Sequence, residues 1–316
     1  MDITRRAALG ALLAAPSLAL AQEVPRTITI VVPFSAGSVV DIMARPFADG
    51  LRQALGPGST VVVVNRDGGG GSVGAQAVAT ARPDGATLFF GPSGMLTTRP
   101  FLQAGLGYDF GALEPVCQTF ENIFVMITAA NGPLRSLADV VAAARARPDA
   151  LNWGDAGVGT VGYLIMRALE KKEGVRLTHV PYRNSPQQVI DTVSGVLALS
   201  MTTWATARGQ DLRVLGVAAD ARHALIPDGP TFKEQGFDVN WRGFGGIMVP
   251  RGTPAGVVRR LEAACAEAVR WPAHVQVAEN TGQVIPFLGA EDFGARLRRE
   301  HDEAGAFIRE LGLRPQ

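Results

Sequence analysis

Thr27-Ile28-Thr29-Ile30-Val31-Val32, then Pro33-Phe34-Ser35-Ala36-Gly37-Ser38, then the stretch from Val39 to Leu55, is the passage whose reading decides the fold. Its first six residues form an apolar run rich in β-branched side chains, the pattern of a strand buried on both faces. In the last seventeen, Val39, Val40, Met43, Ala44, Phe47, Ala48 and Leu51 recur at helical spacing. Small residues join the two, so the chain turns tightly from strand into helix. The alternation returns with strands at 60–64 and 86–90 around a helix at 73–81. It resumes after Ser136, with helices at 137–147, 161–172 and 186–194, and strands at 151–154, 176–180, 196–201 and 212–219. A strand at 245–249 and helices at 254–269 and 291–311 complete the chain. Short apolar strands separated by helices predict an α/β fold with mixed, mostly parallel sheets flanked by helices. The stretches near 120–128 and 241–249 read as strands without a helix partner, which marks them as crossings between two halves. Residues 22–121 with 248–316 are therefore expected to form one lobe, and 122–247 the other.

The chain of 316 residues is 47% hydrophobic, with 30 Lys and Arg against 29 Asp and Glu. That near balance, without a basic cluster, argues against a nucleic-acid partner. The apolar content excludes intrinsic disorder. At the N-terminus, Arg5-Arg6 precedes an apolar run from Leu9, and Ala19-Leu20-Ala21 supplies a small-x-small cleavage pattern. This predicts a signal peptide over 1–21, cleaved after Ala21, and an exported soluble product. The general export route is favoured over the twin-arginine route, to which Thr4-Arg5-Arg6 bears some likeness. Cleavage would remove two positive charges and one negative, taking the formal net charge from +1 to 0. Cys117 and Cys265 cannot form a disulfide framework or a four-cysteine zinc site. Two buried thiols are the favoured reading, with a disulfide left open.

Three strand-to-helix loops carry the functional signal, because ligands in open α/β sheets bind beyond the carboxyl ends of strands. They are 33–38, 65–72 and Asp155-Ala156-Gly157-Val158-Gly159-Thr160. Small residues admit a ligand close to the backbone, and helix-start N–H groups attract anions. Asp41 is open to two roles, binding a ligand amine or offsetting the helix dipole. Gly69-x-Gly71-x-x-Gly74 and Gly157-x-Gly159-x-x-Gly162 match the dinucleotide fingerprint, but the next strands end without the carboxylate that a ribose needs. No cofactor is expected. Gly70-Gly71-Ser72-Val73-Gly74 matches a nucleophile elbow and leaves a secreted serine esterase using Ser72 as the rival reading. The elbow would lie too far from its strand, so no catalytic residue is assigned.

The order and spacing of these pieces resemble a family. Pro33-Phe34-Ser35-Ala36-Gly37-Ser38-Val39-Val40-Asp41-Ile42-Met43-Ala44-Arg45, Asn65-Arg66-Asp67-Gly68-Gly69-Gly70-Gly71, Pro83-Asp84-Gly85, Gly157-Val158-Gly159-Thr160, Val180-Pro181-Tyr182-Arg183-Asn184-Ser185 and Pro250-Arg251-Gly252-Thr253-Pro254 are similar to the extracytoplasmic solute receptors of tripartite tricarboxylate transporters, the Bordetella uptake gene family. The resemblance implies a two-lobed, type II periplasmic-binding-protein-like fold that closes on a small carboxylate (a di- or tricarboxylate, aromatic acid or amino acid). It also implies delivery to transporter membrane subunits, with a sensor role as an alternative. The expected contacts are Phe34, Ser35, Ala36, Gly37, Ser38, Asp41, Ser93, Gly157, Gly159, Thr160, Tyr182, Asn184 and Ser185, in a monomeric periplasmic protein. Thr160 is expected to add its hydroxyl as a donor. One departure stands out: 194–204 reads Ser-Gly-Val-Leu-Ala-Leu-Ser-Met-Thr-Thr-Trp, without the two acidic residues that the family places there.

Overall fold

The computed structural model describes residues 23–182, 185–238 and 241–315. The export segment and Asn184 lie outside the described residues.

The first sheet begins with β1 (Thr27–Val32), α1 (Val39–Leu55), β2 (Thr60–Asn65), α2 (Ser72–Ala79), β3 (Thr87–Pro92), the short α3 (Gly94–Thr97) and β4 (Leu113–Asn122). The chain then passes to a second sheet, built from β5 (Phe124–Ala129), α4 (Leu137–Ala146), β6 (Asn152–Asp155), α5 (Val161–Glu173), β7 (Thr178–Pro181), α6 (Ser185–Val193), β8 (Leu199–Thr203), α7 (Trp204–Ala207) and β9 (Leu212–Val217). It returns through β10 (Gly243–Pro250), α8 (Ala255–Ala268), α9 (Pro272–Thr281), β11 (Gln283–Val284), β12 (Leu288–Gly289) and α10 (Ala290–Glu310).

The strand order is β11-β4-β10-β3-β1-β2 in the first sheet, with β12 also on β4, and β7-β6-β8-β5-β9 in the second. The sheets are mixed, as expected, but not mostly parallel. β1 pairs in parallel with β2 and β3, and β6 with β7 and β8, whereas β4, β5 and β10 pair antiparallel with their neighbours. The reason is the double crossing. A chain that leaves one sheet on β4 and re-enters it on β10 beside that strand must run in the opposite direction.

The chain passes from the first sheet to the second at 122–124, between β4 and β5. The return falls earlier than expected: all of β10 from Gly243 belongs to the first sheet, so 243–247 pair there rather than in the second lobe.

One face of the first sheet is covered by α1, α8 and α9 around Phe47, Phe90 and Leu261. The other face is covered by α2, α3 and the first half of α10 around Phe89, Phe244 and Phe293. Cys117 and Cys265 are free, fully buried thiols in the former core, matching the favoured reading. α10 is amphipathic, with Phe293, Leu297, Ala304 and Ile308 on one stripe. At 1.5 Å per residue its 21 residues span about 30 Å. That length carries Ala304 and Ile308 into the core of the second lobe, beside Trp153 and Leu164. The helix expected in the first lobe therefore joins both.

Candidate ligand-binding site

Each lobe contributes one loop tied down by a buried aspartate. In the first, Ser38 caps α1, its hydroxyl accepting the Asp41 N–H at 3.3 Å. The Asp41 side chain is 2% exposed and turns back into the loop. Its carboxylate accepts the Gly37 N–H at 2.9 Å, Arg45 Nε and Nη2 at 3.1 and 2.7 Å, and Asn65 Nδ2 at 2.9 Å. Burial alone would raise its pKa, but these donors outweigh that and hold it below the usual carboxylate value. Asn65 also donates to the Phe34 carbonyl at 2.9 Å, fastening β2's end to the loop. These contacts make Asp41 a residue that orders the loop, a role beyond the two left open for it.

The second lobe repeats the device. Asp155, at the end of β6 and 1% exposed, accepts the Gly157 N–H at 2.8 Å and the Thr160 hydroxyl at 2.7 Å. His179 Nε2 on β7 lies 2.7 Å from the same carboxylate, its ring packed on Trp153 and edge-on to Tyr163. Thr160 caps α5 by accepting the Tyr163 N–H at 3.2 Å. Its single hydroxyl proton is engaged within the loop, by Asp155 or by the Gly157 carbonyl at 2.9 Å.

These ties leave a defined set of free donors. The N–H groups of Gly37, Ser38 and Thr160 are bonded inside the loops. Among the described residues, those of Ala36, Val39, Val40, Gly159, Val161 and Gly162 have no protein partner. They stand at the starts of α1 and α5, one helix from each lobe, where partial positive charge gathers.

The two lobes touch near this point. A Cβ on Gly159 would fall 2.0 Å from Leu102 Cδ1, so the second-lobe loop lies against the segment after α3. Arg99, three residues earlier, donates to the Gly70 carbonyl at 3.0 Å and ties that segment to the 65–72 loop. Gly74 is required there for a different reason: a Cβ would meet the Pro33 backbone at 2.7 Å, so only glycine lets α2 approach the first loop.

The remaining expected contacts are placed as follows. Ser35 and Ala36 are exposed on the first loop, with Phe34 half-buried beside them. Tyr182 donates its N–H to the Asp155 carbonyl at 2.8 Å, and its hydroxyl to Asp191 at 2.5 Å. Ser185 opens α6. Ser93 is 2% exposed, its hydroxyl 3.3 Å from Glu300 on α10. Ser72 donates to the Gly69 carbonyl at 3.0 Å and takes Gln103 Nε2 at 3.5 Å. No described histidine hydrogen-bonds to it, so the elbow reading gains no base. The Gly69–Gly71 run forms a single 3-10 turn. The sequence reading missed the roles of Asn65, Asp155 and His179, although an aspartate directly after a strand and two residues before glycine is an Asx-turn signal.

A cavity of about 530 Å³ lies elsewhere, at the edge where the chain crosses between sheets. Asp220, Trp241, Arg242, Phe244, Arg296 and Glu300 line it, and no residue of the three loops does.

Comparison with known proteins agrees with this architecture. Residues 43–313 match the model of the tripartite tricarboxylate transporter family receptor. A UPF0065 protein of Bordetella pertussis is 31% identical over 325 residues, covering 100% of this chain and 99% of its own length. A Rhodopseudomonas palustris protein solved with adipate superimposes with a TM-score of 0.79 at 25% identity, covering 92% of this chain and 98% of that one. MatC of the same organism, solved with bound malate, gives 0.76 at 26% identity, covering 89% and 98%.

Proposed function

The chain belongs to the tripartite tricarboxylate transporter receptor family, and on that premise we propose that it is an exported receptor that holds a small carboxylate between its lobes and delivers it to the membrane subunits of a secondary transporter. The observation that carries the reading is the pair of helix starts, one per lobe, with free N–H groups at Ala36, Val39 and Val40 and at Gly159, Val161 and Gly162. Two helix starts solvate an anion without a buried cationic side chain. Ligand held by both lobes favours the closed arrangement, which is how occupancy would be signalled to a partner. Tyr182 and Ser185, which opens α6, are proposed to complete the pocket, with Asn184 as a further proposed contact. The neighbours solved with adipate and malate support a short dicarboxylate as the ligand.

A thermal-shift screen of the purified protein against malate, adipate and related acids tests the reading. Bound ligand raises stability by RT ln(1 + [L]/Kd), about 2.7 kcal/mol at a hundredfold excess over Kd. A carboxylate panel that leaves the melting temperature unmoved removes the assignment.

Gly159→Val is expected to weaken binding of the best acid in that screen at least tenfold. Gly159 has φ +82°, and its Cβ would press on Leu102. A β-branched residue there is strained by about 1–3 kcal/mol, and tenfold corresponds to about 1.4 kcal/mol. Calorimetric titration of the folded variant is the measurement; wild-type affinity would remove the Gly159–Leu102 contact from closure.

Among the described residues no helix is long and apolar enough to cross a membrane. Export is proposed to rest on residues 1–21 alone. Deleting them is expected to leave a folded protein in the cytoplasmic fraction, and its recovery from the periplasmic fraction would refute the address.

A further inference from the structure

We infer that Cys117 and Cys265, carried here as thiols, join in a disulfide as the chain folds in an oxidising compartment, and that the bond staples the first lobe around the root of the second. Neither cysteine takes part in the carboxylate reading above, so the inference stands apart from it.

The two residues come from distant parts of the chain and meet in one core. Cys117 lies on β4, opposite Ile247 of β10 on one side and Gly289 of β12 on the other. Cys265 lies on α8, on the buried face that also carries Leu261, Ala264 and Ala268. The two alanines are small, and α8 packs directly on β4. Both thiols are 0% exposed and share a core with Val116, Phe120 and Ile247. The Cys265 side chain is the hydrogen-bonding neighbour of Cys117. Thiols in such reach have the converging side chains that a bridge requires.

The place of the pair in the topology gives the bond its effect. The chain leaves the first sheet on β4 and returns beside it on β10, then runs into α8. A bond between 117 and 265 closes a ring of about 150 residues that contains the whole second sheet, β5 to β9. Closing so long a ring removes many conformations from the unfolded chain and few from the folded one.

The oxidant is a small or protein disulfide, of the kind an oxidising compartment holds. One cysteine thiolate attacks it, releasing one thiol and leaving a mixed disulfide. The other cysteine thiolate attacks that intermediate, forming the Cys117–Cys265 bond and releasing the second thiol. The cysteines give up two electrons and two protons, and the oxidant is reduced to two thiols. Burial, with Cys265 alongside, pushes the Cys117 thiol well above its ordinary value. The folded pair is therefore protonated and out of reach, so exchange belongs to folding, before α8 closes on β4.

Refolding tests this directly. The purified protein is unfolded in guanidinium with dithiothreitol and refolded in a mixture of reduced and oxidised glutathione. Iodoacetamide then blocks remaining thiols under denaturing conditions, and unreduced peptides are read by mass spectrometry. The expected result is one peptide pair joined through Cys117 and Cys265, lighter by two hydrogens than its separate halves. This form should melt about 5–15 °C above protein refolded in dithiothreitol. Cys265→Ala should melt at one temperature after either refolding, which separates the bond from other effects of the reductant. Two alkylated cysteines in the folded, glutathione-treated protein would overturn the inference. So would wild-type forms that melt together, or a link that joins two chains and runs as a dimer on a non-reducing gel.

Discussion

Replacing Asp155 with alanine is expected to cost about 3–5 kcal/mol of folding stability and to reduce carboxylate binding at least tenfold. The side chain is 1% exposed and gathers three groups: the Gly157 N–H, the Thr160 hydroxyl and His179 Nε2, at 2.8, 2.7 and 2.7 Å. Truncation leaves a part-buried imidazole nitrogen and a part-buried backbone donor without their acceptor, and it frees the loop that presents the Gly159 and Val161 N–H groups. Asp155→Asn keeps the shape and one acceptor oxygen, so it should fold with a smaller loss and still bind less tightly. Urea unfolding gives the first quantity and titration calorimetry the second. A stability loss under 1 kcal/mol with wild-type affinity in the alanine variant would show that the loop holds itself without the aspartate.

A second large effect is expected at Glu300, where the sign depends on pH. Its carboxyl is 9% exposed on α10 and receives the Thr97 hydroxyl at 3.0 Å and the Ser93 hydroxyl at 3.3 Å. Burial pushes its pKa from 4.5 up to about 7, against the opposing pull of the two hydroxyls and Arg296. Between those two pH values the folded protein holds a proton that the unfolded chain has released, so stability falls as pH rises from 4.5 to 7. Above that window the full cost of burying the charge persists, about 3 kcal/mol at 1.36 kcal/mol per pKa unit. Glu300→Gln mimics the protonated carboxyl and does not titrate. The variant should gain about 3 kcal/mol over wild type at pH 8 relative to its effect at pH 4.5. Urea unfolding of both proteins across that range is the measurement. A difference between them that does not change with pH would show that Glu300 ionises at its ordinary value in the folded state.

Much of this protein was legible because its signals are local. β1, α1 and the loop between them follow from β-branched residues, helical spacing and a small-residue turn, and the structure reproduces them residue for residue. The positions of the candidate loops were legible for the same reason, since a strand followed by small residues and an amphipathic helix places a helix start at the strand's carboxyl end. β4 and α9 were not legible. β4 carries Glu114, Pro115 and Gln118 among its apolar residues, and only pairing on both edges makes it a strand. The sheets' antiparallel share, the return at Gly243 and the reach of α10 into the second lobe all depend on which distant segments meet. The same holds for the roles within the loops. Sequence placed Asp41, Asp155 and Thr160 beside the proposed anion site, but their partners Asn65 and His179 come from neighbouring strands. By itself the sequence determined where the helix starts would be. Only the tertiary structure decided which N–H groups remain free, because each carboxylate and hydroxyl is claimed by whichever donor or acceptor the packing brings within 3 Å.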